Sequence, residues 1–274
     1  MLAFPNCKIN IGLNIVGKRV DGFHDIETIF YPIAIKDAVE IVETPQNSDS
    51  ITFTSTGLQI DGSTADNLCV KAYHLLKNEY PQISTVHLHL HKNIPLGAGL
   101  GGGSADATAV LQMLNQLYQL NLGNEKLMQY ALQLGSDCPF FVLNQPSFAT
   151  GRGEILTPTT IDLSGYHFVI VNPSIHVNTG AAFKALNVAA MGSKNLQENV
   201  QADITTWKNT IVNDFEVPVF QQHPAIAIIK ETLYQQGAIY SAMSGSGSTV
   251  FGIFKDAPSL NNFKFPAHYF CEVV

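Results

Sequence analysis

The chain has 274 residues, 46% of them hydrophobic and only 14% charged, with a formal net charge of −7. It can bury a substantial core, and it lacks the basic patches that nucleic-acid or anionic-membrane binding needs; Arg19 and Arg152 are its only arginines. The length suggests two domains or one elaborate one. Cys7, Cys69, Cys138 and Cys271 are scattered without a C-x-x-C pair, which argues against a zinc knuckle or a disulfide framework and fits buried thiols in a reducing compartment. The first residues lack the charged region and long apolar core of a secretory signal, and no stretch reaches the length of a transmembrane helix. A soluble, cytoplasmic protein is expected.

Residues 7–16, 26–43 and 51–60 read as β segments, the last two separated by 45–49. A helix is expected over 66–78, capped by Asp66, with Leu68, Ala72, Leu75 and Leu76 inward. Residues 85–91 alternate as a half-buried strand, with His87, His89 and His91 on one face. Three imidazoles in a row raise the question of a zinc site, but no Cys or carboxylate sits beside them. A solvent-facing strand side accounts for the alternation. From Ser104 to 120, Ala107, Val110, Leu111, Leu114, Leu117 and Tyr118 follow helical spacing, with Ser104 as N-cap and Asp106 in the first turn where the dipole favours a negative charge. A second helix, 124–134, is expected to stop at Gly135. Beyond a domain boundary placed at Thr157–Thr160 come a strand at 166–172, a helix near 179–187 and a polar segment at 192–206. A helix near 224–236 and strands at 238–243 and 249–254 complete the reading.

The stretch between strand 85–91 and the next helix carries the chemistry. Pro95-Leu-Gly-Ala-Gly-Leu-Gly-Gly-Gly-Ser104 has five glycines in the seven positions 97–103. Successive N–H groups of such a loop, ending at a helix N-terminus, form a seat for phosphate. Gly97, Gly99 and Gly102 satisfy G-x-G-x-x-G, yet the preceding strand alternates and 117–124 hold no carboxylate, unlike a dinucleotide fold. Gly97, Gly102 and Ser104 partly fit a Walker A loop, but Gly103 stands where its lysine belongs, so any lysine at the transferring phosphate comes from elsewhere. A second cluster, Ser244-Gly-Ser-Gly-Ser248, reads either as a plain hairpin turn or as a loop closing over phosphates or substrate. Lys8 lies among apolar strand residues, and Asp137 lies in a short polar island, where helix N-cap and catalytic base are both open readings. Phe140 and Phe141 read as core.

Three segments, in order along the chain, resemble the motifs of the GHMP small-molecule kinases, named for galactokinase, homoserine kinase, mevalonate kinase and phosphomevalonate kinase. They are Lys8-Ile-Asn-Ile-Gly-Leu13 with Gly17-Lys-Arg-Val-Asp-Gly-Phe-His-Asp25, then Pro95 to Ser104, then Ser244 to Ser248. With Leu134-Gly-Ser-Asp-Cys-Pro-Phe140, the resemblance is to the branch that uses ATP to phosphorylate a hydroxyl of a cytidine-diphosphate-linked methylerythritol, giving the 2-phosphate, in the non-mevalonate route to isoprenoid precursors. It implies an α/β, two-domain fold: an N-terminal nucleotide-binding domain (1–157), a smaller C-terminal α+β substrate domain (158–274), and the active site in the cleft between them. By the resemblance, Asp137 is the base that accepts the hydroxyl proton and Lys8 is its charge partner. Pro95, Gly97, Ala98, Gly99, Leu100, Gly101, Gly102, Gly103 and Ser104 cradle the ATP phosphates, with Mg²⁺ carried by the nucleotide and touching Ser104, and Asn67 and Lys92 line the adenosine side. Asn10, Phe23, His24, Thr179 and the loop residues Gly245, Ser246 and Gly247 face the substrate; an aromatic ring stacks on cytosine, the histidine reads its polar edge, and His176 supplies a second ring.

Three departures stand out: Phe23 where the family usually has Tyr, Cys7 before Lys8 and Ser136 before Asp137, each where alanine is usual. Two other readings are kept, a GHMP kinase for homoserine or a mevalonate-like acid, and a silent nucleotide-binding sensor of the same fold. Acid substrates want an arginine clamp, for which the chain has little material; a sensor does not need Lys8 and Asp137. The expected partner is the small molecule, with no nucleic acid and no membrane, and the expected state is a monomer or weak homodimer.

Overall fold

The computed structural model describes residues 1–44, 51–186 and 192–274. In chain order the first elements are β1 (Leu2–Ala3), β2 (Asn6–Lys18), β3 (His24–Lys36), β4 (Ala38–Glu43), β5 (Thr52–Gly57), α1 (Leu68–Glu79) and β6 (Val86–Lys92). Then come α2 (Gly102–Leu117), α3 (Asn124–Leu134), α4 (Cys138–Leu143), β7 (Ser147–Thr150), β8 (Ile155–Pro158), β9 (His167–Asn172) and α5 (Thr179–Lys184). The chain closes with α6 (Leu196–Asn199), α7 (Trp207–Thr210), α8 (Glu216–Gln222), α9 (Pro224–Gln235), β10 (Tyr240–Met243), β11 (Val250–Phe254) and β12 (Phe270–Val273). Residues 45–49 and residue 187, on which two sequence expectations fall, lie outside the described residues.

Two compact units are built from interleaved stretches of chain. One comprises Met1–Cys7, Ala34–Leu96 and Gly101–Gln145; the other comprises Lys8–Ile33, Gly97–Leu100 and Pro146–Val274. In the first unit the sheet order is β1-β4-β6-β5, with β4 antiparallel and β5 parallel to β6. The expected alternation of β6 is realised: Val86, Leu88 and Leu90 are buried and join Val39, Ile41, Leu76, Leu111 and Leu114 in one core. Each such side chain, fully buried, contributes about 1.5–3 kcal/mol. His87, His89 and His91 take the other face, where the Thr54 and Thr56 hydroxyls bridge them at 2.8–3.0 Å. Among the described residues no group of three or more His, Cys, Asp or Glu could hold a metal ion.

In the second unit, the sheet β10-β11-β9-β12 is antiparallel throughout. Leu13 and Ile15 of β2 pack with Val169, Val171, Phe215, Ile226 and Leu233 in its core. β2, mostly in this unit, begins a further sheet of order β2-β3-β7-β8. Among the described residues no helix is long and apolar enough to cross a membrane. Cys7, Cys69 and Cys138 are buried, Cys271 is half-buried, and none of the four is in a disulfide.

Several local expectations are corrected. The segment 26–43 is two strands, β3 and β4, because Asp37 turns its carboxylate to the backbone of Asn93 and Ile94. Asn67, not Asp66, caps α1: its extended backbone lets Oδ1 accept from Cys69 N at 2.9 Å. α2 starts at Gly102 rather than at a Ser104 cap, because Gly101 takes a left-handed conformation (φ 69°) and no side chain caps the helix. Asp106 lies beyond the first turn of α2, as a buried ion-pair partner of Lys92. α3 ends at Leu134 as expected, yet Gly135 is extended (φ 172°) rather than left-handed. The helix near 179–187 is described only as α5, ending at Lys184.

Candidate active site

In the second unit, the two glycine clusters meet. Gly99 has φ 79°, and a Cβ there would come within 2.1 Å of the Ser244 carbonyl oxygen, so only glycine allows the approach. The Ser244 hydroxyl donates to the Gly99 carbonyl at 2.7 Å, and Thr249 N donates to the Ala98 carbonyl at 3.2 Å. Gly245 (φ 58°) is held from behind by Asn213, whose Nδ2 donates to the Met243 and Gly245 carbonyls. The 244–248 segment is thus both the β10–β11 connection and a brace for the 97–100 half of the first loop.

Lys8 enters this assembly from β2. Its Nζ donates to Asn10 Oδ1 at 2.6 Å, reaches the Gly99 carbonyl at 3.5 Å, and lies 4.7 Å above the Phe30 ring. Its backbone N–H donates to Leu100 O at 2.9 Å. Asn10 Nδ2 donates to the Thr28 hydroxyl, which in turn donates to Gly12 O; that chain orients the amide so its oxygen faces the ammonium. With Lys8 and Asn10 almost fully buried, the cation is held in one place by groups fixed before any ligand arrives.

The expected substrate side gathers in the same unit. Thr179, at the start of α5, has its hydroxyl 2.8 Å from that of Ser246. A Cβ on Gly97 would sit 3.8 Å from His176 Nδ1. His24 stacks on Phe183 with ring centroids 4.5 Å apart, and Phe183 abuts Phe215 edge-on. Burial, followed by the charge of Lys18, pulls the His24 imidazole below its usual range. A neutral ring keeps one nitrogen as donor and one as acceptor. Phe23 is 53% exposed, with the Arg152 guanidinium 4.8 Å from its ring centroid.

The first unit carries the other half of the loop. Gly101 to Ser104 run directly into α2, whose first-turn N–H groups point to the helix N-terminus. The Thr108 hydroxyl donates to the Cys138 carbonyl at 3.0 Å, tying α2 to the start of α4. A Cβ on Gly135 would lie 3.4 Å from Cys138 Sγ and 4.0 Å from Ser104 Oγ, so Ser104 neighbours the Asp137–Cys138 segment. Asp137 is half-buried at the N-cap position of α4 and makes no side-chain capping hydrogen bond there. Burial pushes the Cys138 thiol up to about 11, so it stays protonated at neutral pH. Asn67 borders a cavity of about 300 Å³ lined also by Phe53, Ser55, Ile60, Gly62 and Thr64. Lys92 pairs with Gly57 at the edge of β5, while its ammonium is buried between Asp37 and Asp106.

Thus Lys8, Asn10, Phe23, His24, Gly97–Leu100, His176, Thr179 and Gly245–Gly247 belong to one unit, and Asn67, Lys92, Pro95, Gly101–Ser104 and Asp137 to the other. Sequence reasoning missed Thr28, Phe30, Phe183, Asn213 and Asp37, and read Asp106 only as a charge at the helix dipole. Phe183 follows Thr179 by one helical turn and was recoverable from that spacing. The others carry no local signal.

The GHMP kinases N terminal domain model matches residues 67–145, and the GHMP kinases C terminal model matches residues 194–267. A 4-diphosphocytidyl-2-C-methyl-D-erythritol kinase of Bacteroides fragilis is 46% identical over 269 residues, 98% of this chain and 97% of that protein. The enzyme of the same name from Parabacteroides distasonis is 48% identical over 255 residues, 93% of this chain and 92% of that one. A solved structure of a 4-(cytidine 5'-diphospho)-2C-methyl-D-erythritol kinase matches with a TM-score of 0.79 and 29% identity, over 96% of this chain and 92% of that one. A homoserine kinase from Cytophaga hutchinsonii, at 15% identity and a TM-score of 0.70, shares the fold alone. The chain belongs to the 4-diphosphocytidyl-2-C-methyl-D-erythritol kinase family of the GHMP kinases.

Proposed function

We propose that this chain transfers the γ-phosphoryl group of ATP to a hydroxyl of 4-diphosphocytidyl-2-C-methyl-D-erythritol, giving the 2-phosphate. The observation that supports this most is the buried Lys8–Asn10 pair, set against Gly99 and braced by the second glycine cluster. Such a fixed cation suits a reaction that is mainly positioning and electrostatics. Asp137 accepts the proton of the attacking hydroxyl, with Lys8 as the cation of the reaction. Gly97 to Ser104 receive the phosphates, following Pro95, with glycine N–H groups and the α2 N-terminus as donors. Ser104 would be the protein ligand of a Mg²⁺ carried in with the phosphates, whose charge would neutralise the transferring group when bound. The first turn of α2 fits that role, since it offers a hydroxyl beside uncapped N–H groups. Asn67 and the Lys92 strand end bound the nucleoside side.

On the substrate side, Phe23 stacks on cytosine, neutral His24 reads its polar edge, and His176, Thr179, Gly245, Ser246 and Gly247 contact the remainder. Phe183 joins them as the platform beneath His24. As a division along the sequence, 1–157 and 158–274 each hold one matched family region, while the compact units interleave. The homoserine and mevalonate readings have no arginine clamp to support them, and the relevant solved structures are 13–19% identical, a likeness of fold only.

The test is release of ADP from Mg·ATP with the cytidine-linked substrate, comparing the intact chain with Asp137→Ala. Loss of a general base lowers turnover by about 10²–10⁴-fold. Substrate-dependent ADP that disappears in the variant supports the assignment. ATP binding without ADP in the intact protein rejects it for this acceptor.

A further inference from the structure

We propose that Asn213 is a positioning residue for the acceptor substrate, acting through the Gly245–Ser246 peptide. This rests on reading Gly245–Gly247 as loop residues that face that substrate. Asn213 is buried and lies on the chain between α7 and α8. Its Nδ2 donates to the Met243 carbonyl at 2.7 Å and to the Gly245 carbonyl at 2.8 Å. Its Oδ1 accepts from Phe215 N at 2.9 Å. The amide is used at three points, and its orientation is fixed: turned over, its oxygen would oppose two carbonyls. The residue is itself pinned to β2, because Leu13 N donates to Val212 O at 2.9 Å and Asp214 N donates to Leu13 O at 2.8 Å. The Asp214 carboxylate accepts from Ile15 N at 2.8 Å, and Glu216 Oε1 accepts from Met243 N at 2.8 Å. Residues 212–216 thus tie the strand that carries Lys8 and Asn10 to the start of the second glycine cluster.

Gly245 is where this support meets the site. A Cβ there would lie 3.3 Å from Gly99 Cα and 3.4 Å from Asn10 Oδ1, the oxygen that holds the Lys8 ammonium. The Gly245 carbonyl and the Ser246 N–H belong to one planar trans peptide and point in opposite directions. Bonding the carbonyl to Asn213 therefore aims that N–H away from Asn213. Among the described residues the Ser246 N–H has no acceptor, while the Ser246 hydroxyl meets that of Thr179 at 2.8 Å. A backbone donor held in place beside a left-handed glycine, with no partner in the chain, is available to a ligand. The rest of the cluster has anchors of its own. Ser244 N donates to Thr249 O at 2.9 Å, and Asn172 Nδ2 donates to the Thr249 hydroxyl at 3.0 Å. Thr249 N in turn holds Ala98 O, so this brace on the phosphate loop does not depend on Asn213. What Asn213 alone fixes is the peptide on the acceptor side.

The experiment is calorimetric titration of the full chain with the cytidine-linked acceptor in the absence of nucleotide, and separately with a non-hydrolysable Mg·ATP analogue. Asn213→Ala should raise the acceptor Kd about tenfold, the scale of two lost hydrogen bonds, and leave the analogue Kd nearly unchanged. Asn213→Ser, which keeps one donor, should give a smaller rise in the same constant, and it serves alone if the alanine variant does not fold. Asp214→Asn keeps an oxygen toward Ile15 N but loses the charge opposite Lys194. It should lower Tm and leave both affinities as they are. A merely structural Asn213 would lower Tm in the same way without separating the two affinities, and that result overturns the proposal. An acceptor Kd raised equally in Asp214→Asn also overturns it, because the loss would then come from general loosening. An intact chain that binds no acceptor overturns the reading of Gly245–Gly247 beneath the proposal, a distinguishable result.

Discussion

Phe23, proposed to stack on cytosine, stands where the family usually has Tyr. The ring has no phenolic hydroxyl, but the Arg152 guanidinium lies over one face while half of the ring surface remains open. A cation over an exposed ring contributes about 0.5–1 kcal/mol, and here it also holds the ring in place. Arg152→Ala should therefore raise KM for the cytidine-linked substrate about two- to fivefold, with kcat and KM for ATP unchanged; steady-state kinetics in both substrates checks this. Asp106 makes a second prediction at this scale. Its folded value of about 7 lies above the ordinary aspartate value, about 3.9, that it has when unfolded. The folded chain thus binds more protons between those limits, and stability falls as pH rises from about 4 to about 7 before levelling. The Tm of the intact chain minus that of Asp106→Asn should shrink across that interval in parallel melting series; a constant difference would show that Asp106 ionises normally.

At the scale of elements, the glycine loop was legible because strand, glycines and helix occur together, and because β6 alternates while α2 keeps helical spacing. Why each glycine is needed was not legible. Gly99 is required by a carbonyl 145 residues away, that of Ser244, a packing fact with no local trace. Gly99→Ala should cost about 1–3 kcal/mol of stability from the left-handed backbone alone, with further loss from the clash and loss of turnover. Gly17→Ala, where a Cβ meets nothing within 4 Å, should leave Tm unchanged. Thermal melts and ADP release on the two variants make the comparison. Helix starts were misread for a related reason. Asn67 against Asp66, and Gly101 against Ser104, differ by backbone conformation, and side-chain preference alone does not choose between adjacent capping residues.

For the whole molecule, the compact units do not follow one another along the chain. The core of the unit holding Pro146–Val274 includes Leu13 and Ile15, and Leu13 bridges to Asn213. Residues 158–274 produced alone should therefore lack cooperative unfolding, and a peptide covering β2 and β3 should restore it; urea melts followed by circular dichroism decide this. The family and its reaction follow from short contiguous motifs, because a phosphate loop demands particular residue types at close spacing. Sequence alone also determined the alternating β6, the helical runs and the absence of disulfide pairing. Only the tertiary structure decided which distant groups meet: Asp37 with Lys92 across 55 residues, Ser244 with Gly99, and Thr28 behind Asn10. Those contacts are set by how buried charges and carbonyls find partners once the chain has closed, and nothing in the neighbouring residues announces them.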